Sequence, residues 1–209
     1  MTIKCLLCEK PSSYLDDYKF NVNSDVEFFG ELKIFYCEEC DLAFADPMPP
    51  LSKLDYFYKY IYRDIGRPHY TNLELLEKEL HSKKNENYID YLINFIDFKK
   101  IYDVFDYGSG TGDIGYLLSK KFKHIKLHTI ESDSFSKEIL KKRNFQIYED
   151  FNNIDMKFDL IISTHVLEHL TNFDVFENFK KILKSGHHMF FEVPNNLFKI
   201  NFTNRPYDS

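Results

Sequence analysis

Apolar and polar positions follow two alternating periods along the second half of the chain. Short apolar runs at residues 101–106, 124–130, 145–148, 158–163 and 188–193 read as buried strands. Between them the spacing turns helical. Ile114, Leu117, Leu118 and Phe122 form one apolar face after Asp113. Val175, Phe176, Phe179, Ile182 and Leu183 form another, with Gly186 placed to end that helix. Upstream, Tyr88, Ile89, Leu92, Ile93 and Ile96 make a stripe within a helical pattern over residues 73–98, beside a solvated charged run over 77–86. Strands alternating with helices predict an α/β domain with a parallel sheet.

Residues 1–50 have a different grain and are expected to form a separate small module. Short strands are predicted at 26–29 and 32–36, around Gly30 and Glu31. All four cysteines lie here, as Cys5-x-x-Cys8 and Cys37-x-x-Cys40. In a reducing compartment two such pairs read as one tetrahedral thiolate zinc site, structural because no ligand position is left open. A redox dithiol or unrelated free thiols are the alternatives. Pro47, Pro49 and Pro50 close the module, since they cannot continue a strand or a helix. A tyrosine-rich linker and covering helix are then expected over 51–100, and the main domain over 101–209.

The first strand of that domain runs into glycines at alternate positions, Gly108, Gly110 and Gly112, before its helix begins. Such a turn lets a ligand lie on the main chain and against the helix N-terminus. Gly110-x-Gly112-x-x-Gly115 also spells the dinucleotide fingerprint, with Glu131 near the spacing expected of its acid. Asp106-x-Gly108-x-Gly110-x-Gly112, however, resembles motif I of the class I S-adenosylmethionine (SAM) methyltransferases. SAM carries cationic centres and no phosphate, so an acid at the strand end suits it, whereas beside a pyrophosphate Asp106 would repel.

That resemblance implies a Rossmann-like sheet and a cofactor site drawn from Asp106, Tyr107, Gly108, Ser109, Gly110 and Gly112, with Glu131 and Ser132 at the ribose. It also implies Asp150 at the adenine amino group, with Phe151 as a stacking neighbour. The string from Phe158 to Leu170 is frequent in class I enzymes acting on small molecules. It places Thr164 and His165 beside the pocket, where His165 either takes the acceptor's proton or only shapes the cavity. Glu168 and His169 are expected to be structural, and His187 and His188 to be loop and strand-start residues. Tyr70 and Arg67 are candidates for the substrate entrance.

Composition narrows the acceptor. A net charge of -6, with the first sixty residues holding six Lys against eleven Asp and Glu, disfavours a nucleic-acid partner and an ribosomal RNA methyltransferase. No apolar run approaches a membrane span, and the start lacks a signal peptide's apolar core, so a cytoplasmic protein is expected. The segment from Phe35 to Pro50 and the tyrosines at 56, 58, 60 and 62 resemble the zinc-ribbon leader of bacterial sugar C-methyltransferases and surface-polysaccharide relatives, with Asp41 where those carry glycine. The expected acceptor is therefore a sugar or sugar nucleotide. Only residues 197–209 remain after the last strand and its Val-Pro-Asn segment, too few for the family's terminal helix and hairpin, so a truncated sheet is expected, with an open edge prone to self-association. A non-catalytic, partner-dependent protein of the same fold and an NAD-dependent reductase are the rival functions.

Overall fold

A computed structural model describes residues 2–18, 28–61 and 73–194 of the protein. Two compact units emerge. One gathers residues up to Leu51 with Thr171–Phe173, and the other comprises Ser52–Leu170 and Asp174–Pro194.

The first unit is an antiparallel four-stranded sheet of β1 (Thr2–Lys4), β2 (Pro11–Asp17), β3 (Lys33–Cys37) and β4 (Leu42–Asp46), in that order. Its core is small, made of Phe35, Phe44, Cys5 and Cys37. Two of these four are cysteines, so apolar burial alone gives this unit little stability. Of the strand expected over 26–29, Phe28 and Phe29 are helical instead, and residues 26 and 27, with 19–25, lie outside the described ones.

The second unit opens within α1 (Leu51–Tyr60), from Ser52, and continues with α2 (Leu73–Leu80) and α3 (Lys83–Phe95). The single helix expected over 73–98 is two, because Ser82 stops one and caps the next by accepting from Asn85 N–H at 3.4 Å. Then come β5 (Asp103–Tyr107), α4 (Asp113–Lys121), β6 (Lys126–Ile130), α5 (Ser134–Lys142), β7 (Phe145–Tyr148), β8 (Phe158–Thr164), α6 (Val175–Ile182) and β9 (Leu183–Glu192). All five strands are parallel, in the order β7-β6-β5-β8-β9.

The inner strands β5, β6 and β8 are buried on both faces, which is why they read as unbroken apolar runs. Val104, Leu160 and Ile162 point to one face, against Leu92 of α3, Leu118 of α4 and Leu140 of α5. Phe105 and Ile161 point to the other, against Val175, Phe179 and Ile182 of α6. Each of these fully buried side chains contributes about 1.5–3 kcal/mol.

β9 departs from the sequence reading. Helix α6 ends at Ile182 rather than at Gly186, and the strand already starts at Leu183. The reason is Asp159, buried on β8, which accepts from Lys184 Nζ at 2.8 Å and faces His187 Nδ1 at 3.5 Å. These contacts hold residues 183–187 along β8. The register then jumps, from Phe158 opposite Leu183 to Leu160 opposite His188, with Gly186 at a φ of 77° in the bulge. His187, expected in a loop, is thus a strand residue, and His188, expected at the strand start, lies within the strand. Among the described residues β9 is a sheet edge.

Candidate functional site

The order of the sheet reverses between β5 and β8, and ligands of open α/β sheets bind at the carboxyl ends of strands at such a point. The turn after β5 and the turn after β8 both sit there. Gly108 has a φ of 64°, and a Cβ on it would lie 2.6 Å from Val166 Cγ2, so only glycine lets the two turns approach. Gly112 caps α4 at a φ of 75°, and a Cβ there would strike Leu140 and Phe145 at 2.6 and 2.7 Å. Gly115 is packed against Phe145, whose Cζ would stand 3.0 Å from an added Cβ. The third glycine of the dinucleotide fingerprint is therefore accounted for by helix-to-strand packing.

Around the turn the chain gathers carboxylates. Glu131, at the end of β6, accepts from Gly110 N–H at 2.7 Å with one oxygen and from Asp133 N–H at 2.9 Å with the other. Asp106 is buried at the end of β5, and burial, then the charges of Glu131 and Asp113, push its carboxyl up to about 8. A cationic ligand would relieve this crowding and a pyrophosphate would worsen it. The residues present thus fit the amino and sulfonium groups of SAM.

Arg143, which follows α5, props the turn from below and was not singled out from the sequence. Its Nη1 donates to the Thr111 carbonyl at 2.8 Å and to Asp113 Oδ1, and its guanidinium lies 4.8 Å from the Tyr116 ring centroid. No local pattern marks a partner thirty residues away. Ser109 Oγ and Thr129 Oγ1 are 2.9 Å apart, tying the turn to β6.

Other expected cofactor residues are already engaged. Asp150 is exposed and caps a short 3-10 turn, accepting from Asn152 N–H at 2.7 Å. Phe151 stacks on Tyr107, with centroids 5.5 Å apart and planes at 28°. Burial, then Asp55 and Glu131, raise the Tyr107 phenol. Ser132 is exposed. Tyr62, Arg67 and Tyr70 lie outside the described residues.

Past β8, Thr164 faces Glu192 in register, and His165 adopts a φ of 55°, uncommon for a residue with a Cβ. Its N–H donates to the Glu192 carbonyl at 3.0 Å. Its ring has Glu168 Oε1 at 3.5 Å from Nδ1, and both Glu192 Oε2, at 3.1 Å, and Lys84 Nζ, at 2.8 Å, beside Nε2. Lys84 can only donate, so Nε2 accepts and Nδ1 carries the proton. Burial raises the Glu168 carboxyl, but hydrogen bonding from His165 and from its own backbone N–H, with the charges of His169 and His165, together outweigh it and leave the group below its usual value. Glu168, expected to be structural, therefore touches the candidate base. Glu192, Lys84 and Tyr88, the last pushed up to about 12 by burial and by Glu192, were missed because three distant segments bring them together.

In the first unit, the four cysteine Sγ atoms all lie within 4.8 Å of one another, and those of Cys8 and Cys37 are 3.6 Å apart. Tetrahedral zinc at about 2.3 Å from each sulfur requires sulfurs roughly 3.8 Å apart, so the set fits. Leu7 N–H donates to Cys5 Sγ at 3.4 Å, as in a metal-binding knuckle. Burial raises the Cys5 thiol, yet hydrogen bonds from Cys8 and Leu7 N–H and from the Cys37 and Cys8 thiols bring it down to about 7. Cys40 is pushed up to about 12 by the neighbouring Cys8 sulfur, then by burial. Without a cation one thiolate blocks the next. Glu9 and Asp41, each directly after the second cysteine of its pair, have φ values of 59° and 52°. Asp41 thus takes the backbone conformation for which the resembling leader uses glycine.

No curated protein sequence matches the chain. Among solved structures, the O-methyltransferase of a trans-AT polyketide synthase from Brevibacillus brevis, in complex with S-adenosyl-L-homocysteine, is 18% identical. The match covers 63% of this chain and 48% of that one, with a TM-score of 0.47. The plantazolicin methyltransferase bound to a pentazolic desmethyl analogue and S-adenosyl-L-homocysteine is 15% identical over 68% and 60%, at 0.46. Coclaurine N-methyltransferase bound to N-methylheliamine and S-adenosyl-L-homocysteine is 15% identical over 51% and 35%, also at 0.46. This chain thus spans between about a third and three fifths of these proteins. A family model described as a methyltransferase domain matches residues 66–207, more than half of the sequence. With its five parallel strands and the acid-and-glycine turn after β5, the chain belongs to the methyltransferase-domain family.

Proposed function

We propose that this protein transfers the methyl group of SAM to a small-molecule acceptor, a sugar or sugar nucleotide of a bacterial surface glycan, and that its first unit is a structural zinc ribbon. The observation that carries the cofactor half is the juxtaposition of buried Asp106, the Gly110 N–H and the Glu131 carboxylate at the switch point of the sheet. SAM supplies an electrophilic methyl on a sulfonium. The chain's residues bind and orient it: Gly108, Gly110 and Asp106 at the amino-acid end, and Glu131 at the ribose. His165, at the end of β8, receives the acceptor's proton. Methyl transfer from a sulfonium is governed largely by positioning, so a single base and a shaped pocket suffice.

The sugar assignment rests on the leader that runs from Phe35 to Pro50 and on the acidity of the first sixty residues, which suits a small acceptor better than RNA. Titration calorimetry tests the cofactor. SAM and S-adenosyl-L-homocysteine are expected to bind, and Glu131→Ala to weaken them by about 1.5–3 kcal/mol through loss of charge-assisted hydrogen bonds. Tight binding of NAD with none of SAM would refute the proposal.

A further inference from the structure

The surroundings of His165 contain a stranded acceptor. Glu192 Oε2 is buried with no hydrogen-bond partner, yet it stands 3.1 Å from Nε2 of His165. While Lys84 donates to Nε2, that nitrogen presents a lone pair, and a lone pair cannot satisfy a carboxylate oxygen. A protonated ring would bring its positive charge within 3.1 Å of this oxygen. Glu168 Oε1 lies 3.5 Å from the other ring nitrogen, Nδ1. The imidazole thus lies between two carboxylates, whose charges both favour a cationic ring.

We infer that Glu192 and Glu168 act as a pair of positioning residues through His165. Glu168 holds the ring as the Nδ1–H tautomer, leaving Nε2 basic, and Glu192 stabilises the imidazolium formed when Nε2 takes up the acceptor's proton. When an acceptor O–H becomes O–CH₃, its oxygen lone pair forms the new bond to carbon and the carbon–sulfur pair returns to the cofactor's sulfur. The proton left over goes to Nε2. The positive charge thereby passes from the sulfonium to an imidazolium that Glu192 and Glu168 flank. Lys84 marks where the acceptor's donor enters, because its ammonium now occupies the hydrogen-bonding position at Nε2. The acceptor's donor displaces Lys84 from Nε2, and the ammonium does not return while the imidazole is protonated, because the two cations repel.

The inference rests on the methyl-transfer reading for its purpose, but its test needs neither cofactor nor acceptor, so the two can fail separately. The ring nitrogens of ¹⁵N-histidine-labelled protein are followed by NMR from pH 5 to 9, with His165→Gln assigning the signal. The groups at the ring are Lys84 from α3, Glu168 from the turn and Glu192 from β9, with Tyr88 of α3 beside Glu192 and His169 beside Glu168. Near neutrality the wild-type ring is expected to show the Nδ1–H tautomer. Glu192→Gln, which is isosteric, is expected to lower the His165 midpoint by about 1 pH unit, and Lys84→Met to raise it. Glu168→Gln is expected to give a mixture of tautomers. It keeps the inference testable if Glu192→Gln does not fold. A His165 midpoint unmoved in folded Glu192→Gln, or an unchanged tautomer in Glu168→Gln, overturns the inference.

Discussion

Replacing Arg143 by methionine tests how the cofactor turn is held. Methionine keeps an apolar stem against the Tyr116 ring while removing the charge and both donors. The wild-type pair is largely buried, with side-chain exposures of 6% for Arg143 and 20% for Asp113. Removing one partner of a buried pair costs about 3–5 kcal/mol. Two features reduce this here: Asp113 still accepts from Thr111 Oγ1 at 3.0 Å, and it lies in the first turn of α4, where the helix dipole favours an anion. Against that, the Thr111 carbonyl loses its partner, at about 1 kcal/mol. The net loss is about 3 kcal/mol, which for a unit of this size lowers the melting temperature by about 6–12 °C. The assay is thermal unfolding by circular dichroism, with Lys142→Ala, an exposed neighbour, as a control expected to stay within about 0.5 kcal/mol of wild type. Arg143→Met is also expected to weaken SAM, because the carbonyl and carboxylate that fix the turn are released together. A melting temperature unchanged from wild type would falsify the assignment of Arg143 as the prop.

Two further outcomes follow from groups already described. Purified, reduced protein is expected to contain about one zinc ion per chain, and Cys37→Ser to lose it and destabilise the first unit far more than it alters SAM affinity. Metal analysis of freshly purified protein decides, and an absence of zinc removes the ribbon reading. Asp106, raised to about 8 from the ordinary carboxylate range, binds its proton more tightly folded than unfolded. Its stabilising contribution is therefore complete below about pH 4 and is lost as pH rises toward and through 8. Wild type is expected to lose about 2 kcal/mol between pH 6 and 8 that Asp106→Asn retains. Parallel denaturation profiles for the two proteins rule this out.

The parts of this molecule that a sequence discloses are those governed by local periodicity. The five strands and the helices between them stand out, the inner strands because burial on both faces forces unbroken apolar runs, as at Phe158–Thr164. The glycine turn is legible for a related reason, since positive φ at 108, 110 and 112 excludes other residues. What stayed hidden depends on contacts made at long range. Gly186 reads as a helix terminator, and only the buried carboxylate of Asp159, a strand away, shows why the helix has already ended at Ile182. Arg143, Glu192 and Lys84 look like ordinary surface charges until the fold sets them beside Asp113 and His165. Asp41 is an intermediate case. Its φ explains the glycine of the resembling leader, but aspartate tolerates that conformation well enough to conceal it.

The slip in register between β8 and β9 bears on how the protein can vary in length. Between the Phe158–Leu183 and Leu160–His188 pairings, the edge strand advances five residues while its neighbour advances two. The surplus is taken up at a glycine, on the outermost strand of the described sheet, so no inner strand has to follow it. A residue gained or lost at Ser185 or Gly186 changes the size of the bulge and leaves the pairing of Ile161 with Met189 and of Thr164 with Glu192 intact. The carboxyl end of the sheet, where Glu192 meets His165, is thereby insulated from length changes near its start. That gives the chain a place where insertions and deletions can accumulate without moving the site.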